Sequence, residues 1–261
     1  MTLSAADADA YARAYFEAER DRAPIDPIAD ARPELTLDDA YRIQDALVAR
    51  HVAQGLTPFG IKVGSTSKAA QRRFKTTEPV IGTLFLQRQI ANGAGVEAAR
   101  LIAPRIECEI AVRMGADLKG PDVGPEAAEA AIGSIMGAFE IIDTRTKDWR
   151  IKGVELIADN AVNAGFVLGP ERPAKGLDAA GINVMFGREG DPPTYGTGGS
   201  VLGGPKFVIA WLANWLGARG HTLKAGTVVL TGSLSEILPA AKGQRFAAQF
   251  DPLGEVAVRF E

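Results

Sequence analysis

Within PRIECEIAVRMG, from Pro104 to Gly115, two glutamates are separated by a single residue and bracketed by apolar ones. Ile106, Cys108 and Ile110 alternate with Glu107 and Glu109, the period-2 pattern of a strand with two unlike faces. Side chains two apart on a strand point the same way, so Glu107 and Glu109 project together and repel each other. A bound divalent cation relieves that repulsion, and a purely oxygen donor set favours Mg2+, Mn2+ or Ca2+ over zinc. The alternative is the solvated outer face of an edge strand, which needs no ion.

The chain around this stretch excludes several classes of function. Its 261 residues suffice for one large core. A formal net charge of -3 without a basic cluster argues against a nucleic-acid partner. Cys108 is the sole cysteine, so no intrachain disulfide and no cysteine-rich zinc site can form, which fits a reducing cytoplasm. The first residues, MTLSAADADAYARAYFEAERDRAP, lack the apolar centre of a signal peptide, and no apolar run approaches membrane-spanning length. The expectation is a soluble cytoplasmic protein.

In chain order, Ser4 to Arg20 reads as an alanine-rich helix closed by the proline-containing stretch APIDPIADARP. A second helix starts after Thr36 as N-cap and ends near Gly55, with Ala40, Ile43, Leu47 and Val48 on one face. PFGIKVG then reads as a strand, STSKAAQRRF as a helix capped by Ser65 or Ser67, and VIGTLF as another strand. After the glutamate strand come a Gly/Pro loop, a short helix at Glu126 to Ala131, and strands at SIMGAFEII, AVNAGFVLG and GINVMFGRE. GDPPTYGTGGSVLGGP reads as a loop and KFVIAWLANWLGARG as a helix, before strands in KAGTVVLTG, QRFAAQF and GEVAVRF. Helices in front and mostly strands behind make an α+β chain. The organisation expected is one catalytic domain over 1–261, with a helical part to residue 56 and a β-rich part from 57 onward.

Two further residues carry chemistry. Glu140 interrupts an apolar strand, where an unpaired carboxylate is costly, so it is either a metal ligand or the partner of Arg145 or Lys147. Lys62, flanked by apolar residues in FGIKVG, suits a substrate carboxylate or proton transfer, unless it is an ordinary exposed strand lysine. His51 and His221 belong to no metal-spaced cluster. No Gly-x-Ser-x-Gly elbow supports a serine nucleophile, and the glycines of GTGGSVLGG lack a nucleotide-binding context.

GIKVGSTSKAAQ, TTEPVIGTLF, PRIECEIAVRMG, FEIIDTRTKDWRIK, IADNAVNAGFVLG and LKAGTVVLTGSL occur in the order seen in 2-keto-4-pentenoate hydratases. From about Gly60 onward the chain resembles that group, which includes 2-oxohept-3-enedioate hydratases and 4-oxalocrotonate decarboxylases within the fumarylacetoacetate hydrolase superfamily. The resemblance implies that superfamily's mixed β-roll and a homo-oligomer, and it leaves open a complex with another pathway enzyme. It also implies Mg2+ or Mn2+ held by Glu107, Glu109 and Glu140, with Lys62 as the active-site lysine. Glu78 would serve proton transfer or water positioning. Ser65, Val162, Asn163, Thr231, Gly232 and Ser233 would contact substrate.

The implied reaction belongs to aromatic-ring catabolism. A 2-hydroxydienoate, chelated through its carboxylate and 2-oxygen, ketonises to a conjugated 2-oxo-enoate and takes up water at carbon 4 to give a 4-hydroxy-2-oxoacid. Decarboxylase members use the same electron sink after loss of carbon dioxide. Acylpyruvate hydrolases share the triad but need a His-x-x-Glu pair, whereas Gln54 follows His51 and Lys224 follows His221. A non-catalytic partner subunit would have no use for the acidic triad. Two departures from the family stand out. Val162 and Asn163 occupy positions where ADNAS with its serine is usual, and Ser235-Glu236-Ile237-Leu238 replaces smaller residues. Both point to a substrate tail unlike the plain pentenoate, bulkier or more apolar near Val162.

Overall fold

The computed structural model describes residues 3–261. Its main sheet runs in the order Val80–Phe85, Pro58–Gly64, Val228–Ser233, Arg105–Met114, Ile132–Ile142, Asn163–Leu168, Gln89–Ile90. The short strands Leu238–Pro239 and Arg172–Pro173 pair onto it at the side. A second sheet orders Thr194–Thr197, Asn183–Arg188, Arg245–Asp251, Gly254–Phe260, Gly95–Val96. Thr194–Thr197 lies in the Gly/Pro-rich stretch read as a loop, where its only strand partner is Asn183–Arg188.

Alternation along the strands decides what each face meets. Ile106, Cys108, Ile110 and Val112 enter the large core with Phe139, Phe186, Phe246, Phe250 and the helix Pro205–Gly217. That core fills the space between the two sheets. Gly137 makes close approach possible, because a Cβ there would lie 2.5 Å from the ring of Phe250. The opposite face of the main sheet carries Glu107, Glu109 and Glu140 toward the front helices. The glutamate strand is interior, with Val228–Ser233 on one side and Ile132–Ile142 on the other. A solvated edge is therefore ruled out.

The front helices form where their caps predict. Ser4 Oγ accepts the Asp7 N–H before Ala5–Asp21, and Thr36 and Asp39 make a reciprocal capping box at Leu37–Ala53. Of the two candidate serines, Ser67 caps the helix Lys68–Phe74. Ala12, Tyr15, Ile43 and Leu47 of the front helices pack with Val80, Ile142, Ile157 and Val162. This joins the helical part to the sheet beside the acidic residues. Gln44 strengthens the joint, its amide donating to the carbonyls of Ile81 (2.9 Å) and Ile157 (2.8 Å). No helix among the described residues is long and apolar enough to cross a membrane.

Candidate active site

In the antiparallel register Glu107 lies directly opposite Glu140, and Glu109 opposes Ala138. One oxygen from each of the three carboxylates falls within 4.8 Å of the other two. Glu109 and Glu140 are fully buried, and Glu107 nearly so. Burial raises the Glu109 carboxyl well above the ordinary range, and Glu140 and Glu107 push it further up. Glu140 is also raised, first by burial, with Lys62 opposing and Glu107 adding to the rise. Among the described residues, Glu109 Oε1 accepts no hydrogen bond, and Glu140 Oε2 meets only the Lys62 ammonium. Three converging carboxylates, one with an oxygen that accepts nothing, fit a hard divalent cation and oxygen-rich coordination.

The remaining oxygens are held in place. A β-bulge between Leu230 and Ser233 turns the Gly232 N–H onto Glu109 Oε2 at 2.7 Å. Gly232 has φ +107°, and a Cβ there would stand 2.2 Å from Thr66 Oγ1, so only glycine serves. Asn163 donates its amide to Glu140 Oε1 at 2.8 Å.

Lys62 comes from the strand Pro58–Gly64, beyond Val228–Ser233 in the sheet. It is only 3 % exposed, so the alternative of an ordinary exposed strand lysine is ruled out. Its Nζ sits 3.0 Å from Glu140 Oε2 and donates to the Ala161 carbonyl at 3.1 Å. Burial lowers the ammonium's proton affinity, but Glu140, with Glu107 and Glu109, outweighs that and leaves it raised. Lys62 therefore stays charged. Arg145 and Lys147, the partners considered for Glu140, pair instead with Asp159 and Asp26.

The carbonyl facing Lys62 belongs to a turn in which Asn160, Ala161 and Val162 have φ values of 51°, 49° and 56°. Left-handed backbone costs non-glycine residues about 1–2 kcal/mol each. The Asn160 side chain holds the turn, accepting from Thr83 N at 2.7 Å and donating to Thr83 O at 2.9 Å.

A cavity of about 190 Å³ opens over this cluster. Lys62, Glu107, Ser65, Val162 and Ser233 line it. Ser65 has φ 54° and its buried hydroxyl has no partner among the described residues. Asn163, Thr231 and Gly232 do not line the cavity: Asn163 and Gly232 hold the Glu140 and Glu109 carboxylates, and Thr231 Oγ1 donates to Ile110 O at 2.8 Å. Glu78 is exposed, in a bend before Val80–Phe85, and lies outside the cavity. The bend carries it toward Tyr41, whose phenol feels its charge, rather than toward Lys62. The departures do reach the cavity, since Val162, Ser235 and Ile237 all line it. Sequence reasoning missed Arg73, Arg105 and Trp149 in the wall.

The model of the fumarylacetoacetate (FAA) hydrolase C-terminal family matches residues 59–261. The chain belongs to this family. A 2-hydroxyhexa-2,4-dienoate hydratase of Comamonas testosteroni is 39% identical over 94% of this chain and 94% of its own. A 2-oxo-hept-4-ene-1,7-dioate hydratase of Escherichia coli is 35% identical, again over 94% of each. Among solved structures, the 4-oxalocrotonate decarboxylase of Pseudomonas putida G7, complexed with magnesium and adipate, superposes with a TM-score of 0.96. It is 31% identical, and the match covers 100% of this chain and 99% of that one. The mixed β-roll expected of the FAA hydrolase fold is what the chain adopts.

Proposed function

We propose that this FAA hydrolase family member is a divalent-metal-dependent carbon–oxygen lyase that hydrates a 2-hydroxydienoate, or its 2-oxo-enoate tautomer, to a 4-hydroxy-2-oxoacid. The observation that carries the reading is the Glu107–Glu109–Glu140 cluster, more acid than the one buried ammonium of Lys62 balances, under a cavity. Hydratases at 32–39% identity and near-full coverage support it. Mg2+ or Mn2+ would be held by the three glutamates and would supply Lewis acidity at the 2-oxygen of a bound 2-oxo acid.

The chain's own residues do the rest. Lys62 neutralises charge that three carboxylates and a substrate carboxylate would otherwise accumulate. Its ammonium has donors beyond the two contacts made to Glu140 and Ala161, and it can pass a proton to or from a substrate oxygen. The Ala161 carbonyl fixes its direction. Ile142, Leu156 and Val162 give the carbon chain an apolar wall and restrict where water enters.

The decarboxylase alternative has its own support in the solved 4-oxalocrotonate decarboxylase of the same fold. Hydrolysis of the acylpyruvate type lacks its histidine, since neither His51 nor His221 lines the cavity. With Mg2+ present, 2-hydroxypenta-2,4-dienoate and 4-oxalocrotonate are offered separately, following loss of dienoate absorbance and release of carbon dioxide. Metal-dependent hydration is the expected result. Carbon dioxide release without hydration would establish the decarboxylase instead, and no turnover of either compound by metal-loaded protein would reject a 2-oxo acid lyase of this kind.

A further inference from the structure

The cavity changes character from its base to its mouth. Its most buried lining residues include Lys62 and Glu107 together with the apolar Ile142, Leu156 and Val162. At the rim are two guanidinium groups, Arg73 and Arg105. Glu107 is the one carboxylate lining this cavity. Among the described residues, neither Arg73 nor Arg105 has a carboxylate within ion-pair distance, although the nearby Arg150 is tied to Asp30 at 2.6 Å.

Arg105 is placed by the glutamate strand itself. It precedes Glu107 by two residues and shares its face, so their Cα atoms are separated by roughly 7 Å along the strand. Its guanidinium lies over the Trp149 ring, 4.1 Å from the centroid, and the Trp149 indole N–H donates to Ala103 O at 3.0 Å. That stacking fixes the plane of a fork whose N–H groups remain available for a bidentate anion. Arg73 arrives from the last turn of Lys68–Phe74. Burial lowers Arg105's proton affinity and the charge of Arg73 adds to the effect, as expected for two cations that share one space. A buried acid–ammonium site with apolar lining, and two unpaired cations at the more exposed part of the same cavity, match a molecule charged at both ends.

We propose that Arg73 and Arg105 bind the far end of the substrate and select a 2-oxo acid whose tail carries a second carboxylate. The inference rests on the 2-oxo acid reading above and adds the chemistry of the tail. Arg105, better buried and held by Trp149, contributes the larger share. Arg73 is exposed and more easily screened by salt.

Two unreactive probes of equal length separate head from tail: 2-oxoadipate ends in a carboxylate, and 2-oxohexanoate in a methyl group. Titrated calorimetrically into the Mn2+-loaded full chain, 2-oxoadipate should bind at least about tenfold more tightly, the scale of charge-assisted pairing at a partly exposed site. The preference should shrink as ionic strength rises. Arg105→Gln should remove most of it. Arg73→Gln, on an exposed helix where folding is not at stake, should lower it by about threefold. If the two probes bind the native protein within twofold of each other, both requiring Mn2+, the tail site is wrong while the 2-oxo acid reading stands. If neither binds in the presence of Mn2+, the 2-oxo acid reading falls and the tail site falls with it.

Discussion

Glu107, Glu109, Glu140 and Lys62 form one cluster of buried charge. Arg145, Asp159, Arg88, Glu19 and His51 form another, and Asn163 touches both. In the second cluster the charges pair off. Arg145 Nε meets Asp159 Oδ1 at 2.5 Å, its other nitrogens reach the carbonyls of Asp143 and Asp159 at 2.7 Å, and Arg88 Nη2 meets Glu19 Oε1 at 2.5 Å. His51 is packed between Phe16 and Phe85 and kept neutral, its pKa lowered to about 4 by burial and by Arg88 against the pull of Glu19. In the first cluster three carboxylates face one ammonium, which meets Glu140 Oε2, and Glu109 Oε1 accepts nothing. Depth of burial alone does not mark the site, for Arg145 and Asp159 lie as deep as the glutamates, although the Glu19 side chain is 31 % exposed. What marks the acidic cluster as a site is its unbalanced charge, and completeness marks the other as scaffold.

That contrast is open to experiment, beginning with its strongest consequence. Arg145→Met leaves Asp159 buried without a counter-charge and should cost about 3–5 kcal/mol in urea-unfolding experiments, with or without Mn2+. A loss under 1 kcal/mol would mean the second cluster is not a closed scaffold. Acid should expose the same region. The unfolded chain takes up a proton on His51 near pH 6.5, whereas the folded chain waits until about pH 4. The stability that His51 contributes as a neutral group is therefore complete above 6.5 and lost as pH falls toward 4, up to about 3 kcal/mol in all. His51→Phe should flatten the stability profile between those values, and an unchanged slope would place the acid sensitivity elsewhere.

The acidic cluster should answer in the opposite sense. Lys62→Met preserves packing length and removes the charge, so folding and Mn2+ binding should persist while turnover of a confirmed substrate falls about 10²-fold. Near-normal turnover would show that the ammonium only balances charge. Glu109→Gln relieves repulsion among buried carboxylates. It should raise metal-free stability by about 1 kcal/mol while weakening Mn2+ binding by tenfold or more. Should Glu109→Gln lower metal-free stability instead, the cluster is balanced without an ion and the comparison collapses.

How far these regions were legible from the amino-acid order follows from the distance between their partners. Glu107 and Glu109 were visible because period-2 alternation is local, and Glu140 because a carboxylate amid Phe139, Ile141 and Ile142 stands out in any apolar strand. The caps at Ser4 and Thr36 were equally local. The partner of Glu140 was not. Lys62 reaches it only because Pro58–Gly64 pairs in parallel with Val228–Ser233, which in turn pairs with the glutamate strand, a juxtaposition created by the sheet order. Arg145 lies beyond the end of Ile132–Ile142 and turns to Asp159 where the chain comes back, so its nearness in sequence to Glu140 misled. The rim of Arg73, Arg105 and Trp149 joins a helix end, a strand start and a turn, and no local pattern signals such a meeting.

Asn163 tests whether the two clusters are separate or one device. Its backbone carbonyl accepts from Arg88 at 3.1 Å and from Arg145 at 3.4 Å, while its amide donates to Glu140 at 2.8 Å. The closed cluster thus anchors the residue that aims the Glu140 carboxylate of the open one. Asn163→Ala keeps the backbone carbonyl, and with it the scaffold contacts, but frees Glu140 Oε1. Losing such a support for a ligand typically costs about 10–100-fold in metal affinity or activity. Because Asn163→Ala removes no charge, the low end of that range is expected for Mn2+, with stability changed by about 1 kcal/mol at most. Asn163→Asp separates geometry from charge. It is isosteric but adds a fourth carboxylate, so metal-free stability should fall while Mn2+ binds at least as well as in Asn163→Ala. If Asn163→Ala binds Mn2+ like the native protein, Glu140 is held well enough by Lys62, and the scaffold cluster supports the fold without tuning the site.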